Sequence, residues 1–141
     1  MEFSRTLDVD APPDRIWGIL ADVEHWPSWT ASMQKVERLD SGDFGVGSRA
    51  RVKQPRLRPA EFEVTSFEPG KSFEWTSKTV GLVSVGDHRI EPRDGGARVT
   101  VGFSMRGPMS GVASLFYAGL IRRYVTMESE GLKKQSETAA S

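Results

Sequence analysis

Three side chains in this sequence have the chemistry to hold or move a proton inside a folded protein: His88, Tyr124 and Glu128. Much other chemistry is closed to the chain. It has no cysteine and only two histidines, His25 and His88. Thiol catalysis, disulfides and thiolate metal sites are therefore excluded, and two imidazoles cannot make an all-histidine zinc site. Its carboxylates lack the spacing of a calcium loop. Neither a glycine-rich phosphate loop nor a G-x-S-x-G nucleophile elbow occurs. No metal and no cofactor is expected.

His88 lies in a strand-like run, Val83–Glu91, where Ile90 sets the inward parity and carries His88, Gly86 and Ser84 to the same face. An imidazole there can shuttle a proton or hydrogen-bond a ligand carbonyl. The plainer alternative is a satisfied wall histidine without chemistry, and residue type alone favours it. Glu128 either pairs with His88 and orients it, or lies on the surface of a helix flank. The second reading is favoured, because uncompensated buried glutamates are rare. Tyr124 either donates its phenolic proton to a ligand or caps a core with its hydroxyl in water. His25 falls in an exposed turn and receives no role.

These residues must be positioned by elements that the hydrophobic pattern predicts. Phe3, Arg5, Leu7 and Val9 alternate with polar residues as in a half-buried strand. Ala11-Pro12-Pro13-Asp14 then starts a helix with proline in its first turn. Trp26-Pro27-Ser28-Trp29 interrupts that helix, and a second short turn is expected across His25–Trp29. Six strands follow, at Gln34–Leu39, Ser48–Gln54, Ala60–Glu68, Ser72–Ser77, Val83–Glu91 and Arg98–Arg106. Glycine-bearing turns such as Glu68-Pro69-Gly70 and Asp94-Gly95-Gly96 join them into an antiparallel meander. From Met109 to Glu137 there is no proline, and one long helix is predicted.

The expected fold class is α+β. A curved antiparallel sheet of about seven strands closes around a long C-terminal helix, with two short helices after the first strand. Space between sheet and helix is a natural ligand cavity. Strand parity selects its walls. Phe62, Trp75, Phe103 and Met105 face inward as apolar wall, and Gln54 and His88 supply polar groups. On the helix, Tyr117, Ile121, Tyr124, Val125, Glu128 and Leu132 form one stripe, favoured as sheet-facing. Val112, Phe116, Leu120 and Met127 form another, which covers the short helices or makes a partner face. Trp26 reads as a core anchor, and Trp29 equally as an anchor or as an aromatic lip on the cavity. Arg49, Arg51, Lys53, Arg56 and Arg58 make a basic run that could meet anionic lipid or an acidic carrier. The outer, solvated face of a strand explains them more simply.

The chain has 141 residues, enough for one domain, expected over 1–136 with a flexible tail at 137–141. Lys and Arg number 19 and Asp and Glu 19, so the positive excess of a nonspecific nucleic-acid binder is absent. No stretch approaches the roughly 18 apolar residues that span a bilayer, and the N-terminus lacks a signal peptide's apolar block. The expectation is a cytoplasmic protein with no nucleic-acid partner and no membrane insertion, with a homodimer left open.

The order of elements, with Ala11-Pro12-Pro13-Asp14-Arg15-Ile16-Trp17 leading to Asp22-Val23-Glu24-His25-Trp26-Pro27-Ser28-Trp29, resembles the SRPBCC superfamily. This is the START-like, helix-grip group, here in its polyketide cyclase/dehydrase-like branch. Gly47-Ser48-Arg49, Phe67-Glu68-Pro69-Gly70 and Glu130-Gly131-Leu132-Lys133 add to the likeness, which covers about Glu2 to Ser136. The resemblance implies a protein that binds lipids, sterols, hormones or polyketides, or that catalyses cyclisation or dehydration in its cavity. Fold-level likeness does not choose between these.

Three readings stay open. The first is binding of a small hydrophobic or aromatic, polyketide-like molecule by Trp29, Gln54, Phe62, Trp75, His88, Phe103, Met105, Tyr117 and Tyr124. The second is a cyclase or dehydratase using His88, with Tyr124 or Glu128 assisting. The third is an interaction module whose cavity is filled by its own aromatics.

Overall fold

A computed structural model describes residues 1–138. The chain forms β1 (Glu2–Val9), α1 (Pro13–Ala21), a 3-10 helix (Val23–Ser28), β2 (Lys35–Arg38), β3 (Arg49–Lys53), β4 (Ala60–Glu68), β5 (Ser72–Thr79), β6 (Leu82–Arg93), β7 (Gly96–Arg106) and α2 (Ser110–Thr138). All seven strands join one antiparallel sheet in the order β1-β7-β6-β5-β4-β3-β2. Only β1 leaves the meander: it crosses to pair with β7, with Phe3 opposite Phe103 and Leu7 opposite Val99. This is the helix-grip fold expected from the pattern, and each predicted strand is present. The helix runs through Thr138, two residues past the boundary expected for a tail. Residues 139–141 of that expected tail lie outside the described residues.

Local chemistry explains the start of the fold. Pro13 occupies the first turn of α1, where its missing N–H costs nothing, and the Pro12 carbonyl accepts from the N–H groups of Arg15 and Ile16. Pro27 lies inside the 3-10 helix and keeps it short. Trp26 is fully buried beside it, its Nε1–H donating to the Leu20 carbonyl at 2.9 Å. One tryptophan thus ties the two short helices together.

The inner face of the sheet and one stripe of α2 form the core. Ile121, Val125 and Leu132 are buried against the sheet, whereas Val112 and Phe116 are exposed. The first apolar stripe therefore faces the sheet. Arg5 of β1 reaches Glu130 of α2 at 3.1 Å, and Lys133 of α2 donates to the Asp8 carbonyl. Helix and short helices meet without a gap: a Cβ on Gly131 would lie 2.3 Å from the Trp29 carbonyl oxygen, so only glycine fits there.

Two placements differ from expectation. Lys53, assigned to solvent, is half-buried and turns its ammonium back to the carbonyls of Gln54 and Leu57. Glu128, assigned to a surface flank, is 7% exposed. It has a buried polar partner, as shown below.

Candidate functional site

Sheet and helix enclose a cavity of about 560 Å³. One end is closed by Trp26, His88 and Glu128, all buried. The other end opens among exposed residues: Arg56 and Arg58 of the β3–β4 loop, Thr79 at the end of β5, and Tyr117 of α2. Between them the wall is mostly apolar, with Phe62, Phe103, Met105 and Val101 among its residues.

Small side chains make the space. Ser77 and Ser84 face each other across β5 and β6, and Gly86 lies opposite Trp75. A Cβ on Gly86 would lie 2.7 Å from Trp75 Nε1, so the glycine lets the indole lie flat across β6. The Trp75 Nε1–H has no hydrogen-bond partner among the described residues and is available to a ligand.

His88 is held from both sides. Its Nδ1 lies 3.2 Å from the Phe73 carbonyl oxygen, and its Nε2 lies 3.1 Å from Glu128 Oε1. A carbonyl only accepts, so Nδ1 donates to Phe73. The second contact closes through one further proton, carried by Nε2 toward a carboxylate or by Oε1 toward a neutral imidazole. Either arrangement leaves the pair without net charge, which burial favours. Aromatic rings fix the imidazole plane: Phe73 stacks on it at 4.3 Å, and Trp26 meets it edge-on at 5.3 Å. Both ring nitrogens are thus engaged within the protein. The polar atom left over is Glu128 Oε2, which has no partner among the described residues.

Tyr124 is committed as well. Its hydroxyl donates to the Pro55 carbonyl and ties α2 to the β3–β4 loop, while its ring lines the cavity. Its proton is therefore not free for a ligand, contrary to the donor role considered from sequence. The Gln54 side chain lines the wall in the same loop, and its amide has no partner among the described residues.

Of the residues expected at the cavity, Gln54, Phe62, Trp75, His88, Phe103, Met105, Tyr117, Tyr124 and Glu128 line it, and Trp29 does not. Trp29 packs on Trp26 at 5.5 Å and on Gly131, away from the cavity, as the anchor rather than the lip. The sequence reading missed Trp26 as an end wall and Arg56, Leu57 and Arg58 as a rim. A signal for the rim was present: Pro55 and Pro59 bracket a loop that cannot pair as a strand.

No group of three His, Asp or Glu side chains gathers as a metal site among the described residues. The resolved shifts in proton affinity lie outside the cavity. Hydrogen bonds from Arg93 and Arg98 hold the Asp8 carboxyl below its usual range. The Arg49 backbone N–H and the Arg38 guanidinium do the same for Asp40. The Asp10 backbone N–H and Lys133 lower Glu137, whereas the Asp22 carboxylate raises His25.

Comparison with solved structures places this architecture among known ones. The ZhuI aromatase/cyclase from Streptomyces sp. R1128 superposes with a TM-score of 0.84 at 15% identity, covering 100% of this chain and 96% of that one. A Thermus thermophilus protein, TTHA0849, covers both chains completely with a TM-score of 0.79 at 17% identity. One part of StfQ, a di-domain aromatase/cyclase of the steffimycin biosynthetic pathway, matches 99% of this chain over 52% of its own, with a TM-score of 0.79 and 11% identity. At these identities the likeness is one of fold. Among curated proteins, an uncharacterized protein of Mycobacterium tuberculosis strain H37Rv is 28% identical over 103 residues. That alignment takes in 70% of this chain and 61% of the relative's length. No helix among the described residues is long and apolar enough to cross a membrane. The family model for polyketide cyclase/dehydrase and lipid transport proteins matches residues 1–137, and by that match the chain belongs to this family.

Proposed function

We propose that the protein binds a small apolar or aromatic, polyketide-like molecule between sheet and helix. The observation that carries this reading is the open cavity of about 560 Å³, apolar along its length and polar at its closed end. Burial of ligand carbon there contributes roughly 25 cal/mol per Å². Trp75 Nε1–H supplies a donor, Glu128 Oε2 an acceptor, and Gln54 both, so a planar ligand bearing carbonyl and hydroxyl groups fits the wall. A filled, non-binding core does not agree with this volume.

Native mass spectrometry of freshly purified protein, followed by solvent extraction, tests the proposal. Either a retained apolar compound is found, or the emptied protein takes up polycyclic aromatic ketones with quenching of Trp75. A bare chain that also fails to bind any such ketone overturns it.

One geometric feature favours a second reading, catalysis of cyclisation. Glu128 Oε2 is free while Oε1 is backed by His88. As a carboxylate, Glu128 can take the proton between two carbonyls of a β-keto chain. The resulting enolate carbon attacks a distant carbonyl and forms the C–C bond. The protonated carboxyl gives that proton to the new alkoxide, and Glu128 then takes the second proton of the same carbon and delivers it to the resulting hydroxyl, which leaves as water as the C=C bond forms. His88 is the positioning residue in this scheme, where the sequence reading made it the acid–base group itself. Glu128→Gln abolishing turnover of a poly-β-ketone while retaining ligand affinity supports this reading. Unchanged turnover rules it out.

A further inference from the structure

A strained backbone position lies at the mouth of the cavity. Residues 54–57 form a turn in which the Leu57 N–H donates to the Gln54 carbonyl at 3.2 Å, with Pro55 at its second position. Arg56, at the third, has a φ of 67° and is the only non-glycine residue with positive φ among the described residues. This is a type II turn, whose third position favours glycine, because a Cβ there crowds the following carbonyl oxygen. The chain also contains the ordinary solution. In the β4–β5 turn the Lys71 N–H donates to the Glu68 carbonyl at 2.9 Å, Pro69 takes the second position, and Gly70 takes the third with a φ of 77°. Two turns of one kind thus differ at one position: glycine away from the cavity, arginine on its rim.

The surroundings hold the strained turn in place. Lys53 donates its ammonium to the carbonyls of Gln54 and Leu57, and Tyr124 donates its hydroxyl to that of Pro55. A strained residue persists where its neighbours over-determine it, and such residues cluster where a ligand is held. The Arg56 guanidinium has no hydrogen-bond or ion-pair partner among the described residues, so nothing within the protein accounts for it. It lines the cavity mouth, with Arg58 beside it. Arginines without a carboxylate partner occur elsewhere, Arg15, Arg51 and Arg89 among them, but those do not line the cavity and none has positive φ. Among the described residues Glu128, at the closed end, is the only carboxylate on the cavity wall.

We propose that Arg56, with Arg58 beside it, receives the carboxylate of an acidic ligand, so that the occupant is a planar polycyclic ketone carrying a carboxylic acid at its trailing edge. A guanidinium forks onto a carboxylate through two parallel N–H···O bonds. At the mouth that pair stays in reach of water and avoids the desolvation a carboxylate would suffer along the apolar wall. The acid cannot lead, because at the closed end it would meet the Glu128 carboxyl. This inference rests on the binding proposal and adds to it the charge of the ligand and the direction in which it enters.

Quenching of tryptophan fluorescence by two probes tests it. Anthraquinone-2-carboxylate and its neutral carboxamide are each titrated into the emptied protein at neutral pH. The parent is expected to bind the acid about tenfold more tightly than the carboxamide, the size of one charge-assisted pair at a hydrated rim. High salt reduces that ratio by weakening the acid alone. Arg56→Gly brings the ratio close to one. The same variant is expected to melt about 3 °C above the parent, since glycine adopts the positive φ without strain. A merely structural arginine would do the reverse on both counts, losing stability and leaving the ratio alone. The ratio compares two ligands on one protein, so a change in cavity shape that acts on both does not move it.

Equal affinity of the parent for acid and carboxamide overturns the proposal and leaves the binding reading standing. So does a preference for the acid that Arg56→Gly keeps, since the carboxylate would then lie elsewhere. Melting of Arg56→Gly below the parent also overturns it, because the turn would then hold no strain for a ligand to explain. Failure of both probes to quench any tryptophan counts against the binding reading itself, and this inference falls with it.

Discussion

Nε2 of His88 lies 3.1 Å from Oε1 of Glu128, a contact between strand and helix that spans forty positions of sequence. It joins the sheet to α2 at the closed end of the cavity, where the His88 side chain is 2% exposed and that of Glu128 9%. Breaking such a buried pair by removing one partner costs about 3 kcal/mol or more. Glu128→Leu and His88→Leu are each expected to lower unfolding free energy by that order. The double variant is expected to lose less than their sum, with a coupling of at least about 1 kcal/mol. Urea unfolding of the four proteins measures this, and strict additivity would show that the contact carries no energy.

Tyr124 holds the rim in place through the Pro55 carbonyl. Tyr124→Phe keeps the ring and removes the hydrogen bond, at a cost of about 1 kcal/mol. The expected local effect is larger than the global one. Amide exchange across residues 53–59 speeds up, and bound ligand leaves faster, while exchange in β6 and β7 stays as it was.

Two glycines of α2 are expected to respond with opposite signs. A Cβ on Gly131 meets the Trp29 backbone oxygen at 2.3 Å, whereas one on Gly119 meets nothing within 4 Å. Gly131→Ala is expected to destabilise by about 2 kcal/mol through overpacking. Gly119→Ala is expected to stabilise by about 0.5–1 kcal/mol, because alanine loses less backbone freedom in a helix. Thermal unfolding of the two variants reads both signs.

The acid limb of stability is expected to carry a contribution from Glu137, which accepts from the Asp10 N–H at 2.9 Å and from Lys133 at 2.6 Å. Its folded-state affinity for a proton is lowered from the ordinary 4.5. The stabilisation is therefore present above 4.5 and lost as pH falls through the lowered value. Glu137→Gln should melt below the parent at neutral pH and level with it in acid. His25 behaves in the opposite sense. Asp22 raises it from 6.5, so its contribution is present below 6.5 and disappears as pH rises through the raised value. The His25→Ala difference in melting temperature should therefore appear only in mildly acidic solution.

The strands were legible because their periodicity is written in single residues. Ala50 and Val52, Phe73 and Trp75, and Val99 and Val101 alternate with charged or polar neighbours, and the sheet buries each of them. Parity alone carried His88, Phe62 and Met105 to the cavity wall, since a strand offers only two faces. The two apolar stripes of α2 were both visible, yet nothing local ranks one stripe over another. Ile121, Val125 and Leu132 won because their spacing meets the curved sheet, while Phe116 was left in the open.

The residues by themselves determined the antiparallel meander, the helix that closes it, the absence of thiol chemistry and the inward set of each strand, because these follow from local pattern and composition. Only the tertiary structure decided that Glu128 is buried against His88 rather than solvated on a flank, that Tyr124 spends its proton on Pro55, and that Trp29 backs onto Gly131 instead of lining the cavity. The physical reason is common to all three. Each depends on a partner, present or missing, supplied by a distant element, and on whether burial leaves water to take that partner's place.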